Sequence, residues 1–249
     1  MQRSFGRAAA GATVAIALAL PTLVLPLTLP ARADVLDDAI FTSVRFDQLE
    51  YRAGEDTNLA AWDLEAWAGG DVWKLALESE GEYALRPDRF ERLENQLVVR
   101  RMVSDFFDAK AGIRLDTPAG PDRVYGVLGF EGLAPQWFEV DGDLFLSEKG
   151  DLSARFTAEY DILITNRLIL QPLGEINLAA SDDREIGQGQ GVTDVELGLR
   201  LRYEVIGRTV APYVGVHWEK KLGESAGIAR SEGEDTNAAR VVAGVRLLF

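Results

Sequence analysis

A chain of 249 residues with a formal net charge of −14 and no cysteine excludes several chemistries at once. Disulfides, thiolate metal sites and cysteine nucleophiles have no residue to build them, and so acidic a chain repels nucleic acid and gathers cations. Past residue 33 no apolar run approaches the roughly 18 residues of a membrane helix, which leaves a strand-built membrane protein as the open membrane reading.

Residues 1–33 read as a removable export signal. Arg3 and Arg7 precede an apolar run from Ala8 to Leu29, and Ala31-Arg32-Ala33 places small residues just before Asp34. Pro21, Pro26 and Pro30 break the run, which argues against an uncleaved anchor, and no Cys follows to carry a lipid. Cleavage removes Arg3, Arg7 and Arg32 but no acid, so the remainder is more acidic still. Residues 34–40 form a short acidic lead-in, and residues 41–249 read as one domain.

That domain is a succession of alternating segments. Phe41–Arg52 alternates imperfectly; Leu59–Ala68 sets Trp62 and Leu64 against Asp63 and Glu65; Val72–Glu82 sets Trp73, Leu75 and Leu77 against Lys74, Glu78 and Glu80. Polar Gly81–Glu94 reads as a long connection before a fourth strand, Asn95–Val103, whose facing is undecided. Phe106–Asp116, Arg123–Gly132, Gln136–Ser147 and Leu152–Ile164 follow, then a two-residue turn at Thr165-Asn166 and a ninth strand, Arg167–Ala180. After a loop at Ser181–Gly191 comes the clearest pattern in the chain. Val195, Leu197, Leu199, Leu201 and Tyr203 fall on one side; Asp194, Glu196, Arg200, Arg202 and Glu204 fall on the other. Past Ile206-Gly207 the pattern resumes, with Val214, Val216 and Trp218 opposite Tyr213, His217, Glu219 and Lys221. A loop at Leu222–Thr236 leads to the last strand, Ala238–Phe249. Strict period-two alternation of this kind specifies antiparallel strands, twelve in all, with no helix of consequence and no linker.

Parity does not say which face is inside, and a soluble sandwich would bury the apolar one. Four features favour the opposite arrangement. The strand count is even; connections after strands 2, 4, 6, 8 and 10 are short while those after 3, 9 and 11 run to about a dozen residues, as membrane barrels arrange them. Phe249 closes the last strand in phase with the apolar face. Strands of roughly 10–13 residues suit a tilted bilayer crossing better than a sandwich. The expected fold is therefore all-β, a twelve-stranded antiparallel transmembrane barrel of the outer-membrane type, its apolar face on lipid and its charges in the lumen. Trp62, Trp73, Phe107, Phe138, Tyr160, Tyr203 and Trp218 then face outward, where an aromatic girdle belongs.

Several segments resemble one family. They are Asp47-Gln48-Leu49-Glu50-Tyr51-Arg52, Gly69-Gly70-Asp71 leading to Ser79-Glu80-Gly81-Glu82, Gly132-Leu133-Ala134-Pro135-Gln136-Trp137-Phe138-Glu139-Val140, Leu168-Ile169-Leu170-Gln171-Pro172, Leu197-Gly198-Leu199-Arg200-Leu201-Arg202-Tyr203-Glu204 and Ala211-Pro212-Tyr213-Val214-Gly215-Val216. Together, and in this order, they resemble the outer-membrane copper resistance protein B group. The resemblance implies copper ion as the species handled, copper tolerance as the role, and periplasmic copper oxidase and carrier proteins as partners. One departure stands out. Family members often carry a Met- and His-rich stretch before the barrel, and residues 34–40 here hold neither residue.

The ligand inventory is thin. Beyond the export signal the chain has one His, His217, and one Met, Met102, whereas Cu(I) prefers sulfur and Cu(II) several imidazoles. A copper site, if built, is a weak, oxygen-rich one around His217 and Glu219, with lumen carboxylates Glu175 or Glu196 as partners. The competing reading is a lumen lined by paired charges, with Arg155, Arg200, Arg202, Arg240 and Arg246 balancing acids such as Glu139, Asp141 and Asp143. Acidic loop residues Asp182-Asp183 and Glu232–Asp235 are ordinary solvated surface or bridges to lipid headgroups through divalent ions. With no Gly-x-Ser-x-Gly and no Ser–His pair at strand spacing, no enzyme is expected. The alternative to the copper reading is a narrow general porin without metal specificity.

Overall fold

The computed structural model describes residues 39–55, 57–118 and 120–249; the expected export signal of residues 1–33 and residues 34–38 of the expected lead-in lie outside the described residues. Among the described residues the alternation becomes thirteen strands: β1 (Phe41–Ala53), β2 (Leu59–Gly69), β3 (Trp73–Ala84), β4 (Arg89–Ser104), β5 (Phe107–Asp116), β6 (Arg123–Ala134), β7 (Phe138–Ser147), β8 (Leu152–Glu159), β9 (Ile162–Leu163), β10 (Leu168–Ala179), β11 (Gly191–Tyr203), β12 (Val210–Lys221) and β13 (Asn237–Leu248). Short β9 continues β8 past Tyr160 and Asp161, and both pair with β10. The sheet thus has twelve antiparallel staves, and the β13–β1 ladder closes it. Closure leaves no open edge, the condition for placing backbone in hydrocarbon.

The two rims differ as expected. Connections after β2, β4, β6, β9 and β11 are short, and those after β10 and β12 are long. Two expectations fail. The long connection after the third strand is only 85–88, because Gly81–Ala84 and Arg89–Glu94 continue the ladder, with Glu82 opposite Arg92 and Ala84 opposite Arg89. Its polarity belongs to the lumen face of two long strands. In addition, Leu222–Thr236 contains a helix, α1 (Gly223–Glu232), ended by Gly233 at φ 81°. It buries Ser225, Ala226 and Ala229, and Ser225 Oγ accepts a 2.8 Å hydrogen bond from the Gly189 amide of the neighbouring loop.

Sidedness is unambiguous. On β11, Leu197 and Leu199 are 50% and 41% exposed while Arg200 and Arg202 are 3% exposed. On β4, left undecided by the pattern, Leu97 and Val99 face out while Gln96, Val98 and Arg100 are buried inside. Burial is inverted relative to a water-soluble fold: the apolar face is the outer one. Exposed Phe41, Trp73, Phe106, Phe138, Tyr203 and Phe249 ring the short-turn rim, and a second group at the other rim includes Tyr83 packed edge-on to Phe90. Rings at two levels fit two lipid–water interfaces.

Candidate functional site: the charged lumen

Inward positions of twelve staves converge on one space, and their charges arrange themselves in pairs. Along the β1–β11–β12 wall the carboxylate of Glu50, with a side chain 0% exposed, accepts from Arg52 Nε at 2.6 Å and Arg200 Nε at 3.1 Å. It also accepts from the Tyr213 hydroxyl at 3.0 Å. Tyr213 reaches it across β13 only because Gly244 intervenes; a Cβ there would lie 2.7 Å from both the tyrosine hydroxyl and Glu50 Cβ.

Other pairs cross the lumen. Arg92 on β4 binds Glu80 and, at 3.3 Å, Glu196 on β11, which stands six staves away in a ring of twelve. Arg155 on β8 binds Glu80 at 3.1 Å and Glu94 at 2.9 Å. The expectation of paired charges holds for the named arginines: Arg200 meets Glu50, Arg202 meets Asp161 at 2.6 Å, Arg240 meets Glu219 at 3.5 Å and Arg246 meets Asp47 at 3.0 Å. It does not hold for Glu139, which lines the cavity but finds no ion-pair partner among the described residues. Lys110 gathers Asp141 at 2.7 Å and Asp143 at 2.9 Å. In the loop after β10, Asp183 pairs with Arg123 at 3.1 Å. Beside it, hydrogen bonds from Lys149 and Arg123 hold the Glu185 carboxyl below the usual carboxylate range.

The sequence-derived metal candidates come together in part. Register sets Glu175 opposite Glu196 and Glu196 opposite Glu219, so three carboxylates form one row over β10, β11 and β12. His217 lies two residues from Glu219 on β12, 2% exposed, with Nε2 3.5 Å from Glu196 Oε2 and Nδ1 without a hydrogen-bond partner among the described residues. Each acid is already engaged: Glu175 by Arg155 at 3.3 Å and Asn177 at 2.8 Å, Glu196 by Arg92, Glu219 by Arg240. Arg52 Nη1 stands 3.4 Å from His217 Nε2, placing a positive charge where a cation would sit. Met102 lies near the short-turn end of β4, away from His217 in the middle of β12. This donor set does not fit a selective copper site: it offers one imidazole beside a guanidinium, and among the described residues no sulfur joins it.

Sequence reasoning missed a tighter acid cluster. Glu65, Glu78 and Glu131 bring carboxylate oxygens within 4.8 Å of one another. Their centre holds Arg100, at 2.7, 2.6 and 3.0 Å from the three, so the guanidinium is their counter-ion. Parity placed Glu65 and Glu78 in the lumen, but nothing local joins Glu131 on β6 to β2. A cavity of about 690 Å³ surrounds this region and extends to the short-turn rim at Asp105 and Phe106. Carboxylates outnumber Lys and Arg side chains in its wall.

Comparison with known proteins agrees with this architecture. A solved structure with a similar fold is the NanC porin, at TM-score 0.53 and 13% identity, covering 83% of this chain and 99% of that one. Copper resistance protein B of Escherichia coli is 42% identical over 213 residues, 86% of this chain and 71% of the relative. A copper resistance protein B homolog of Pseudomonas syringae pv. tomato is 40% identical over 215 residues, covering 86% and 72%. The family model described as copper resistance protein B precursor (CopB) matches residues 40–249, which is the whole barrel. With closed staves, lipid-facing leucines and a charged interior, the chain belongs to the copper resistance protein B family of outer-membrane β-barrels.

Proposed function

We propose that this barrel serves copper tolerance from the outer membrane together with periplasmic copper oxidase and carrier proteins, and that those partners supply the selective copper ligands. Copper is here the species handled. The observation that carries the reading is the ligand chemistry of a lumen whose family role is copper tolerance: its single imidazole faces Glu196 and Arg52, and the candidate carboxylates Glu175, Glu196 and Glu219 are held by arginine. Such a set binds Cu(II) weakly, following only the general order of divalent affinities. Purified protein should therefore bind copper weakly, and His217→Ala should abolish that binding. A deletion strain should be copper-sensitive, and both the wild-type gene and the His217→Ala gene should restore tolerance. Sub-nanomolar Cu(I) binding by the isolated barrel would overturn the ligand argument; failure of the wild-type gene to restore tolerance would overturn the role.

The same reading orients the molecule. Short turns such as Thr165-Asn166 face the periplasm, and Leu222–Thr236 with α1 faces outward, so the acidic cavity opens toward the partners. The length difference between rims supports this orientation. A protease added to intact cells should cut within Leu222–Thr236 and spare Thr165-Asn166; cutting at Thr165 alone would reverse it.

A further inference from the structure

Among the described residues two chambers lie within the lumen. The larger opens at the short-turn rim; the smaller, about 290 Å³, reaches the long-loop rim at Pro121 and Gln188. Arg92, Glu94, Arg155 and Glu196 line both, so these four side chains form the wall between them. They are also the residues whose pairs cross the barrel, Arg92 from β4 to Glu196 on β11 and Arg155 from β8 to Glu94 on β4. To one side, Ala76, Val98, Val127 and Phe145 pack into a small apolar core. Arg114 lies over the Phe145 ring at 4.5 Å and binds Glu94 at 2.9 Å, tying the lattice to that core. To the other side, the buried Glu50, Arg200 and Tyr213 cluster fills the wall.

We propose that this lattice closes the lumen to free ion flow, with Arg92 and Arg155 as its two bars. Each bar is held from more than one stave: Arg92 by Glu80 and Glu82 on β3 and by Glu196 on β11; Arg155 by Glu80 on β3, Glu94 on β4 and Glu175 on β10. A passing cation has to displace a guanidinium from several charge-assisted hydrogen bonds. A passing anion meets the carboxylates that hold the bar. Glu80 is shared, but each bar also keeps partners of its own, Glu82 and Glu196 for Arg92 and Glu94 and Glu175 for Arg155, so thermal loosening of one leaves the other in place. Removing both uncovers Glu80, Glu94 and Glu196, and the opened path then prefers cations. This closure does not depend on the copper reading, since it concerns any small ion.

The test is electrical. The full exported chain, purified and inserted in planar bilayers in potassium chloride, should show little steady conductance. Arg92→Ala with Arg155→Ala should raise conductance about ten-fold or more, with cation selectivity from the uncovered carboxylates. Arg92→Lys with Arg155→Lys, which keeps the charges, should raise it far less. Folding of each variant is checked by the heat-dependent shift in gel mobility of a closed barrel. If the alanine variant does not fold, Glu80→Gln with Glu196→Gln loosens the same bars from the acid side. A rise in conductance then supports the proposal, and an unchanged, low conductance in the folded variant counts against it. No cation selectivity is expected there, because both guanidiniums remain and two carboxylates are gone. Wild-type conductance equal to that of the opened variants would overturn the proposal, as would a folded variant lacking both bars that stays closed.

Discussion

Leu199→Arg should destabilise the folded barrel by about 2–4 kcal/mol, the cost of a cation on the lipid face near the bilayer midplane. Leu199 sits within β11, opposite Pro172 on β10 and Val216 on β12, and is 41% exposed on the apolar side. In hydrocarbon its guanidinium would have neither water nor a carboxylate within reach and would have to bend toward a distant interface. The adjacent residue is the internal control. Arg200 is 3% exposed and paired with Glu50 at 3.0 Å, so an arginine is at home one residue along on the same strand. Urea unfolding of the protein reconstituted in lipid vesicles measures the difference. Single cysteines at 199 and 200, labelled from lipid and from water, give the complementary readout. Water-side labelling at 199 but not at 200 would turn the barrel inside out and sink the assignment.

Glu50→Ala should cost a similar or larger amount, about 3–5 kcal/mol, for a different reason. Glu50 is the shared counter-ion of Arg52 and Arg200, and those side chains are 5% and 3% exposed. Deleting the acid leaves Arg200 without a carboxylate and Arg52 with Glu82 alone, both largely buried, and the Tyr213 hydroxyl unpartnered. Glu50→Gln retains hydrogen-bond acceptance but loses the charge, so its cost should fall in between. Glu139→Ala, on the open lumen wall, should cost much less. Unfolding in vesicles again ranks the three; equal costs for Glu50→Ala and Glu139→Ala would show that the buried cluster contributes no more than ordinary lining.

Much of this architecture was legible in the amino acids because strand patterning is local. Leu197, Leu199 and Leu201 against Arg200 and Arg202 gave the two faces of β11, and the same alternation placed His217, Glu219, Glu196 and Glu175 on one side of their strands. Where reading failed, the same physics explains why. Gly81–Glu94 looks like a solvated loop because lumen strands carry charge, and in an inside-out fold polarity no longer marks connections. The helix at Gly223–Glu232 escaped because its buried residues, Ser225, Ala226 and Ala229, are too small to write an apolar stripe.

The site divides along the same line. By itself the sequence determined the two faces of most strands, how few copper ligands the chain includes, and that acids exceed bases, since parity and composition need no knowledge of neighbours. Only the tertiary structure decided who meets whom. Arg92 finds Glu196 across 104 residues of chain, Arg200 finds Glu50 across 150, and Arg52 stands beside His217 across 165. These partners are set by closure of β13 onto β1 and by the register of each ladder. Both are properties of the whole ring of staves, and no single strand encodes them.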